Sequence, residues 1–226
     1  MRGIILLAVM AVVAPVYGAE YEKCQKGAIN VYEYWPWKPG TVWEAREMGG
    51  GLIRKSHSAK SLGPADGAPI RVQWDGKFLD YYRETKAGLE RYKDFDPRNG
   101  TYGEYSPPAV QYPRCARLGE SYKRVSRRTD LSVRDNAPLD SYDEEMTYMA
   151  LQFEDVTIGA GTFKKCLMQV RDYKDVRRGG AEHRKIAISW NAPGVGMVRG
   201  CLIEFSEGKE IHNFCADRLP AGVKND

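Results

Sequence analysis

The chain has 226 residues and a net charge of +4, and 28% of its residues are charged. That length suits one domain of ordinary size. The basic excess is dispersed, because Lys123, Arg124, Arg127 and Arg128 are followed at once by Asp130, Asp135, Asp140, Asp143, Glu144 and Glu145; this argues against the clustered basic surface that nucleic-acid binders need.

At the N-terminus Arg2 precedes an almost unbroken apolar run over residues 3–17. Pro15 interrupts it just before the small residues Gly18 and Ala19. A basic start, a short apolar stretch and small residues at the cut make up a secretory signal peptide. The run falls short of the roughly 20 residues that a membrane-spanning helix needs. Residues 1–18 are therefore read as a signal peptide and 19–226 as a single β-rich domain, exported to the periplasm or beyond. No later segment is apolar enough to enter a membrane. Cys24 follows Tyr21, Glu22 and Lys23 rather than small apolar residues, so it is not read as an acylation site.

Tyr32, Tyr34, Trp35, Pro36, Trp37 and Pro39 form an aromatic, proline-marked opening. Short runs rich in β-formers follow at 41–48, 52–61, 70–74, 77–85 and 89–95, with turn residues between them. Asp75-Gly76 predicts a two-residue hairpin turn, since both residue types tolerate positive φ. Residues 96–113, rich in Pro, Gly, Asn and Tyr, read as a long loop. Residues 117–133 read as one or two strands and 136–145 as irregular. A second meander is predicted at 146–156, 162–173, 186–190, 197–205 and 210–215. Alternation at Ile186, Ile188 and Trp190, and at Met197, Cys201, Ile203 and Phe205, marks strands with one buried face. No long segment carries a 3.6-residue period. The predicted fold is mainly β, an antiparallel meander with little helix.

The cysteine count is five. In an exported chain most cysteines are bridged, and an odd number leaves one over. Cys166 shares a strand face with Met168 and Val170 and reads as a buried thiol. Cys201 and Cys215 flank a hairpin expected near Glu207-Gly208-Lys209, where a three-residue loop would set them opposite each other. Cys201–Cys215 and Cys24–Cys115 are the expected bridges. No CxxC or Cys/His spacing is present, so redox catalysis and structural zinc find no support.

Two segments form a pattern: residues 156–167 (Val-Thr-Ile-Gly-Ala-Gly-Thr-Phe-Lys-Lys-Cys-Leu) and residues 190–198 (Trp-Asn-Ala-Pro-Gly-Val-Gly-Met-Val). It resembles the TapB-like group of exported bacterial β-proteins, and residues 35–43 are similar to that group's first strand. The resemblance implies a curved, half-barrel-like sheet, similar in shape to periplasmic lipoprotein carriers, and it brings no catalytic residues. The glycines of the pattern, Gly159, Gly161, Gly194 and Gly196, read as turn devices. Gly194-x-Gly196 leads into a strand rather than a helix, so it is not a phosphate loop.

The three histidines, His57, His183 and His212, sit in unlike contexts with no hydrolase motif around them. Asp94-x-Asp96-x-Arg98-Asn99-Gly100 hints at a calcium loop, but Arg98 occupies a ligand slot and Gly100 comes one position late; a plain turn is expected, and no metal or cofactor. The aromatics are the most suggestive feature. Tyr34, Trp35, Trp37, Trp43, Trp74 and Tyr82 are the candidate ligand-binding residues, because amphipathic rings can line a concave site; plain core packing is the competing reading. The expected function is non-enzymatic: an exported envelope protein that binds an apolar ligand or a lipid-bearing partner on its concave sheet. The alternative is a structural subunit of a periplasmic or cell-surface assembly.

Overall fold

The computed structural model describes residues 23–35, 38–49, 52–65, 67–176 and 180–219. The expected signal peptide and Trp37 lie outside the described residues. Twelve antiparallel strands roll into a closed barrel. In chain order they are β2 (Val42–Gly49), β3 (Leu52–Leu62), β4 (Ile70–Trp74), β5 (Phe78–Glu84), β6 (Gly88–Asp96) and β7 (Thr101–Pro113), then β9 (Ser121–Ser132), β10 (Pro138–Ile158), β11 (Gly161–Val176), β12 (Glu182–Ala192), β13 (Gly196–Ser206) and β14 (Lys209–Arg218). Each pairs with the next along the chain, and β14 returns to β2. The short strands β1 (Ile29–Asn30) and β8 (Cys115–Ala116) pair with each other outside the ring. The expected curved antiparallel meander is therefore present, and it curls until its two edges meet. Closure removes the unpaired edges that an open sheet would present.

Two tight turns show how the sequence sets the register. Asp75 and Gly76 take φ of 47° and 66°, the mirror-image turn whose twist suits a hairpin. Glu207 and Gly208 do the same at 50° and 75°. That second loop has two residues, not the expected three, and Ser206 pairs with Lys209. A bulge then passes over Ile211, so that Glu204 faces His212 and Cys201 faces Cys215. The bulge supplies the one-residue offset that the longer loop would have given. The Cys201–Cys215 bridge forms across those strands, with Cα atoms 4.0 Å apart. Cys24–Cys115 is the second bridge, and Cys166 is buried and free.

Two expectations fail. Residues 96–113 are not a long loop, since β7 occupies most of them. Proline lacks a ladder donor, yet Pro107 and Pro108 sit where the ladder is already broken. Lys93 pairs with Glu104 and Arg91 with Ala109, so 105–108 arch out of register with β6, and pairing with β9 stops at Ser106. Residues 136–145 are not irregular beyond their first two, because β10 starts at Pro138. One of their acidic side chains, Asp143, stands opposite Arg127 of β9.

The shared ends of the hairpins define two rims. The N-terminal segment closes one of them. A 3₁₀ turn at Val31–Tyr34 is capped by Asn30, whose side chain accepts from the Tyr32 amide. Val31 donates to the Arg114 carbonyl at 2.9 Å, and Gly194 donates to the Glu33 carbonyl at 2.7 Å. Val31, Tyr34 and Trp35 thereby join the main core with Trp43, Tyr112 and Tyr148. The other rim carries the 75–76, 97–100, 133–137 and 207–208 turns. Outward positions hold cross-strand ion pairs, Arg127 with Asp143 at 3.1 Å and Arg184 with Asp172 at 2.7 Å, which suit water rather than hydrocarbon. Among the described residues no helix is long and apolar enough to cross a membrane.

Candidate functional site: the barrel lumen

The lumen divides into three levels, and the closed end is aromatic. Trp35 lies 4.2 Å from Tyr112, ring centre to ring centre, and Trp43 donates its indole N–H to the Met197 carbonyl at 2.7 Å. Tyr34 contacts Phe153 at 6.0 Å, and burial raises its hydroxyl pKa. Deeper in, Trp74 donates to Asp80 at 2.7 Å and Tyr82 to the same carboxylate at 3.2 Å. All five described candidate aromatics thus belong to, or pack against, one core cluster. The recess between Trp35, Trp43 and Met197 has a volume of about 10 Å³, room for about one water molecule.

The middle level is a charged network. Arg91 approaches Asp80 at 3.5 Å, Glu144 at 3.4 Å and Asp94 at 3.9 Å. Arg128 holds Asp94 at 3.1 Å and Asp130 at 2.8 Å. The Tyr105 hydroxyl accepts from Arg128 at 3.1 Å and donates to Asp94 at 2.7 Å, while Arg91 lies 4.5 Å from the centre of its ring. Burial holds that hydroxyl well above its ordinary pKa. Gly103 makes room for the network. A Cβ there would come within 2.6 Å of the Asp94 carboxylate and 2.7 Å of the Arg128 guanidinium. Asp94 is thus a lumenal partner of arginines, and Asp96 folds back on Arg98 and Asn99 in the turn. Among the described residues no group of three His, Cys, Asp or Glu could hold a metal ion.

Glu144 sets a pH dependence. Burial raises its pKa, against the pull of Arg91 and Arg128. A carboxyl raised in the folded state contributes stability that is fully present below its unfolded pKa, near 4.5. That contribution is lost as pH rises through the higher folded value. Glu144→Gln is expected to flatten the fall in stability above about pH 4.5. Urea midpoints taken across that range test it, and a slope equal to that of the wild type would refute it.

The open end is a cleft of about 400 Å³ lined by Lys55, His57, Asp75, Lys77, Phe78 and Arg98, among others. The Asp75-Gly76 turn positions it, since Asp75 accepts from the Ser58 amide at 2.7 Å. His57 stands between Glu47 at 3.6 Å and Asp75 at 3.5 Å, and stacks on Phe214 at 5.3 Å. Arg98 lies 4.3 Å over the Phe78 ring while paired with Asp96 at 3.1 Å. Sequence reasoning read His57, Asp75, Arg98 and Arg128 without giving them a binding role, and did not single out Lys55, Lys77, Phe78, Arg91 or Arg171. A signal existed: Asp80 with Tyr82, and Gln169, Arg171 with Tyr173, recur at spacing two on one face, while the alternate positions Leu79 and Tyr81, and Met168 and Val170, are apolar. Such strands fit a lumen that keeps polar groups.

No protein-family model and no curated protein sequence matches the chain. Among solved structures it is similar to a putative lipoprotein from Parabacteroides distasonis, 13% identical over 83% of this chain and 97% of that one, with a TM-score of 0.41. So distant a likeness carries no functional weight.

Proposed function

We propose that the protein is a non-enzymatic binding protein of the cell envelope. On this reading it takes an anionic amphiphile, free or carried as the lipid of a partner, at the open end of the barrel. The cleft there carries the reading. Its volume of about 400 Å³ matches small-molecule sites, and its lining joins three cations, Lys55, Lys77 and Arg98, to the Phe78 ring. Apolar side chains stand exposed on the same rim: Met48, Leu52 and Ile53 around the β2–β3 turn, and Ile211 on neighbouring β14. Exposed apolar groups gathered in one place suit contact with a lipid or a partner. The two disulfides fit an exported protein, and the resemblance to the TapB-like group supports the same class.

A second reading assigns an apolar ligand to the aromatics that the sequence singled out, Tyr34, Trp35, Trp37, Trp43, Trp74 and Tyr82. The recess beside Trp35 and Trp43 favours it, although a ligand there would have to displace side chains. Titrating an anionic fluorescent fatty acid into the mature protein separates the two. Saturable binding is expected, weakened roughly tenfold, the equivalent of about 1.4 kcal/mol, by Lys55→Glu combined with Lys77→Glu, and unmoved by Trp43→Ala. Weakening by Trp43→Ala alone would move the site to the aromatic end. Absence of saturable binding, with a stable protein partner co-purifying, would favour a structural subunit of an envelope assembly.

A further inference from the structure

Arg171 sits at the lumenal level between the charged network and the aromatic end. Its guanidinium lies 4.7 Å from the Tyr112 ring centre and 5.8 Å from that of Trp35. It donates to the Tyr173 hydroxyl at 3.0 Å, and Tyr173 donates to Gln111 Oε1 at 2.6 Å. A guanidinium can only donate, so the tyrosine proton must go to Gln111. That chain fixes the amide and turns Gln111 Nε2 away. Gln169, two residues before Arg171 on the same face of β11, accepts from Tyr148 at 2.6 Å and is fixed in the same way.

The remaining donors are left over. Gln111 Nε2, Gln169 Nε2 and Arg171 Nε are shut off from solvent and have no hydrogen-bond partner among the described residues. Gln111 is 1% exposed and Gln169 0%. Among the described residues Arg171, half-buried with its Nε shut off from solvent, has no carboxylate within 4.0 Å, whereas Arg91 and Arg128 both do. A buried charge without a counter-charge is among the costliest groups a fold can carry, and leftover buried donors add to that cost. The placement of Gln111 is itself built. Leu89 pairs with Tyr112 and Glu90 with Val110, so Gln111 is the extra residue of a β-bulge, and that bulge lets both Gln111 and Tyr112 face inward.

We propose that Arg171, Gln111 and Gln169 form an internal site for a compact, acceptor-only monoanion, either a halide or the carboxylate of a small acid. The anion supplies the charge that Arg171 lacks and accepts from the two amides. The site is separate from the open cleft and does not depend on what binds there.

Thermal unfolding of the mature protein tests this, in a sulfonate-anion buffer at constant ionic strength with increasing sodium bromide or sodium formate. The midpoint is expected to rise saturably, by about 5–10 °C at 100 times Kd. A response to bromide alone identifies a halide site, and a response to formate alone a carboxylate site. Arg171→Met should abolish the rise without lowering the midpoint in the sulfonate buffer, because it removes an uncompensated charge. Gln111→Met and Gln169→Met, which keep the cation, should each raise the half-maximal anion concentration about tenfold. Lys55→Glu should leave the rise unchanged. A wild-type midpoint indifferent to both anions overturns the proposal. So does an Arg171→Met protein destabilised equally in every buffer, or amide variants with an unaltered response.

Discussion

Arg91→Ala is expected to lower the unfolding free energy by about 3–5 kcal/mol, because it leaves the lumenal carboxylates Asp80 and Glu144 without their shared cation and Asp94 with Arg128 alone. The physical contrast is with Arg83, one strand away on the outer wall. Its pair with Glu90 is made at 2.9 Å, yet the arginine is 50% exposed, and Arg83→Ala should cost no more than about 1 kcal/mol. Urea midpoints at pH 7 with unchanged m-values would establish both figures. Acid should also shrink the Arg91→Ala deficit, since protonated carboxyls no longer repel one another. A deficit as small as that of Arg83→Ala would mean that the lumen is wet enough to screen its charges like a surface.

Loss of the Cys24–Cys115 bridge is the second large effect. The two residues lie 91 apart in sequence, and a loop of that span restricts the unfolded chain by about 4–5 kcal/mol in the chain-entropy account. The 14-residue separation of Cys201–Cys215 corresponds to about 3 kcal/mol on the same scale. Serine pairs at each bridge, compared by urea unfolding, should rank in that order. The native state sharpens the difference. Cys24 precedes the segment that closes one end of the barrel, and Cys115 belongs to β8 beside it. Without the link Trp35 is expected to stack less firmly on Tyr112, seen as a change in tryptophan emission. A larger cost for the shorter loop would show that local strand geometry, not chain span, governs both bridges.

Much of this fold could be read from the residues. Strand β4 was delimited to the residue by Ile70, Trp74 and the Asp75-Gly76 turn, and both bridges followed from strand faces and an odd count. The failures have a common cause. Pro107, Pro108 and the glycines before them look like loop punctuation until β6 and β9 are seen to leave that arch unpaired, which depends on contacts distant in sequence. Closure was illegible for a similar reason, because no local pattern says that β14 will meet β2. The site was read least well. Trp35 and Trp43 announce themselves by type, whereas Lys55, Lys77 and Arg98 come from three different strands and turns and look like ordinary solvated charges until the fold assembles them. Gln111 was invisible, since the bulge that turns it inward leaves no mark on the sequence around it.

The ladder that closes the ring is short. Among the described residues three pairs, Ala216 with Glu47, Asp217 with Arg46 and Arg218 with Ala45, join β14 to β2, with Leu219 donating to the Glu44 carbonyl just beyond, against ten pairs between β11 and β12. Toward the open rim the two strands continue without rungs between them, Met48 and Gly49 on one side and Lys209 to Cys215 on the other. The wall is therefore slotted there, beside His57 and Phe214. On the proposed function, an amphiphile longer than the barrel is deep would not have to be swallowed whole; its tail could trail out sideways through the slit.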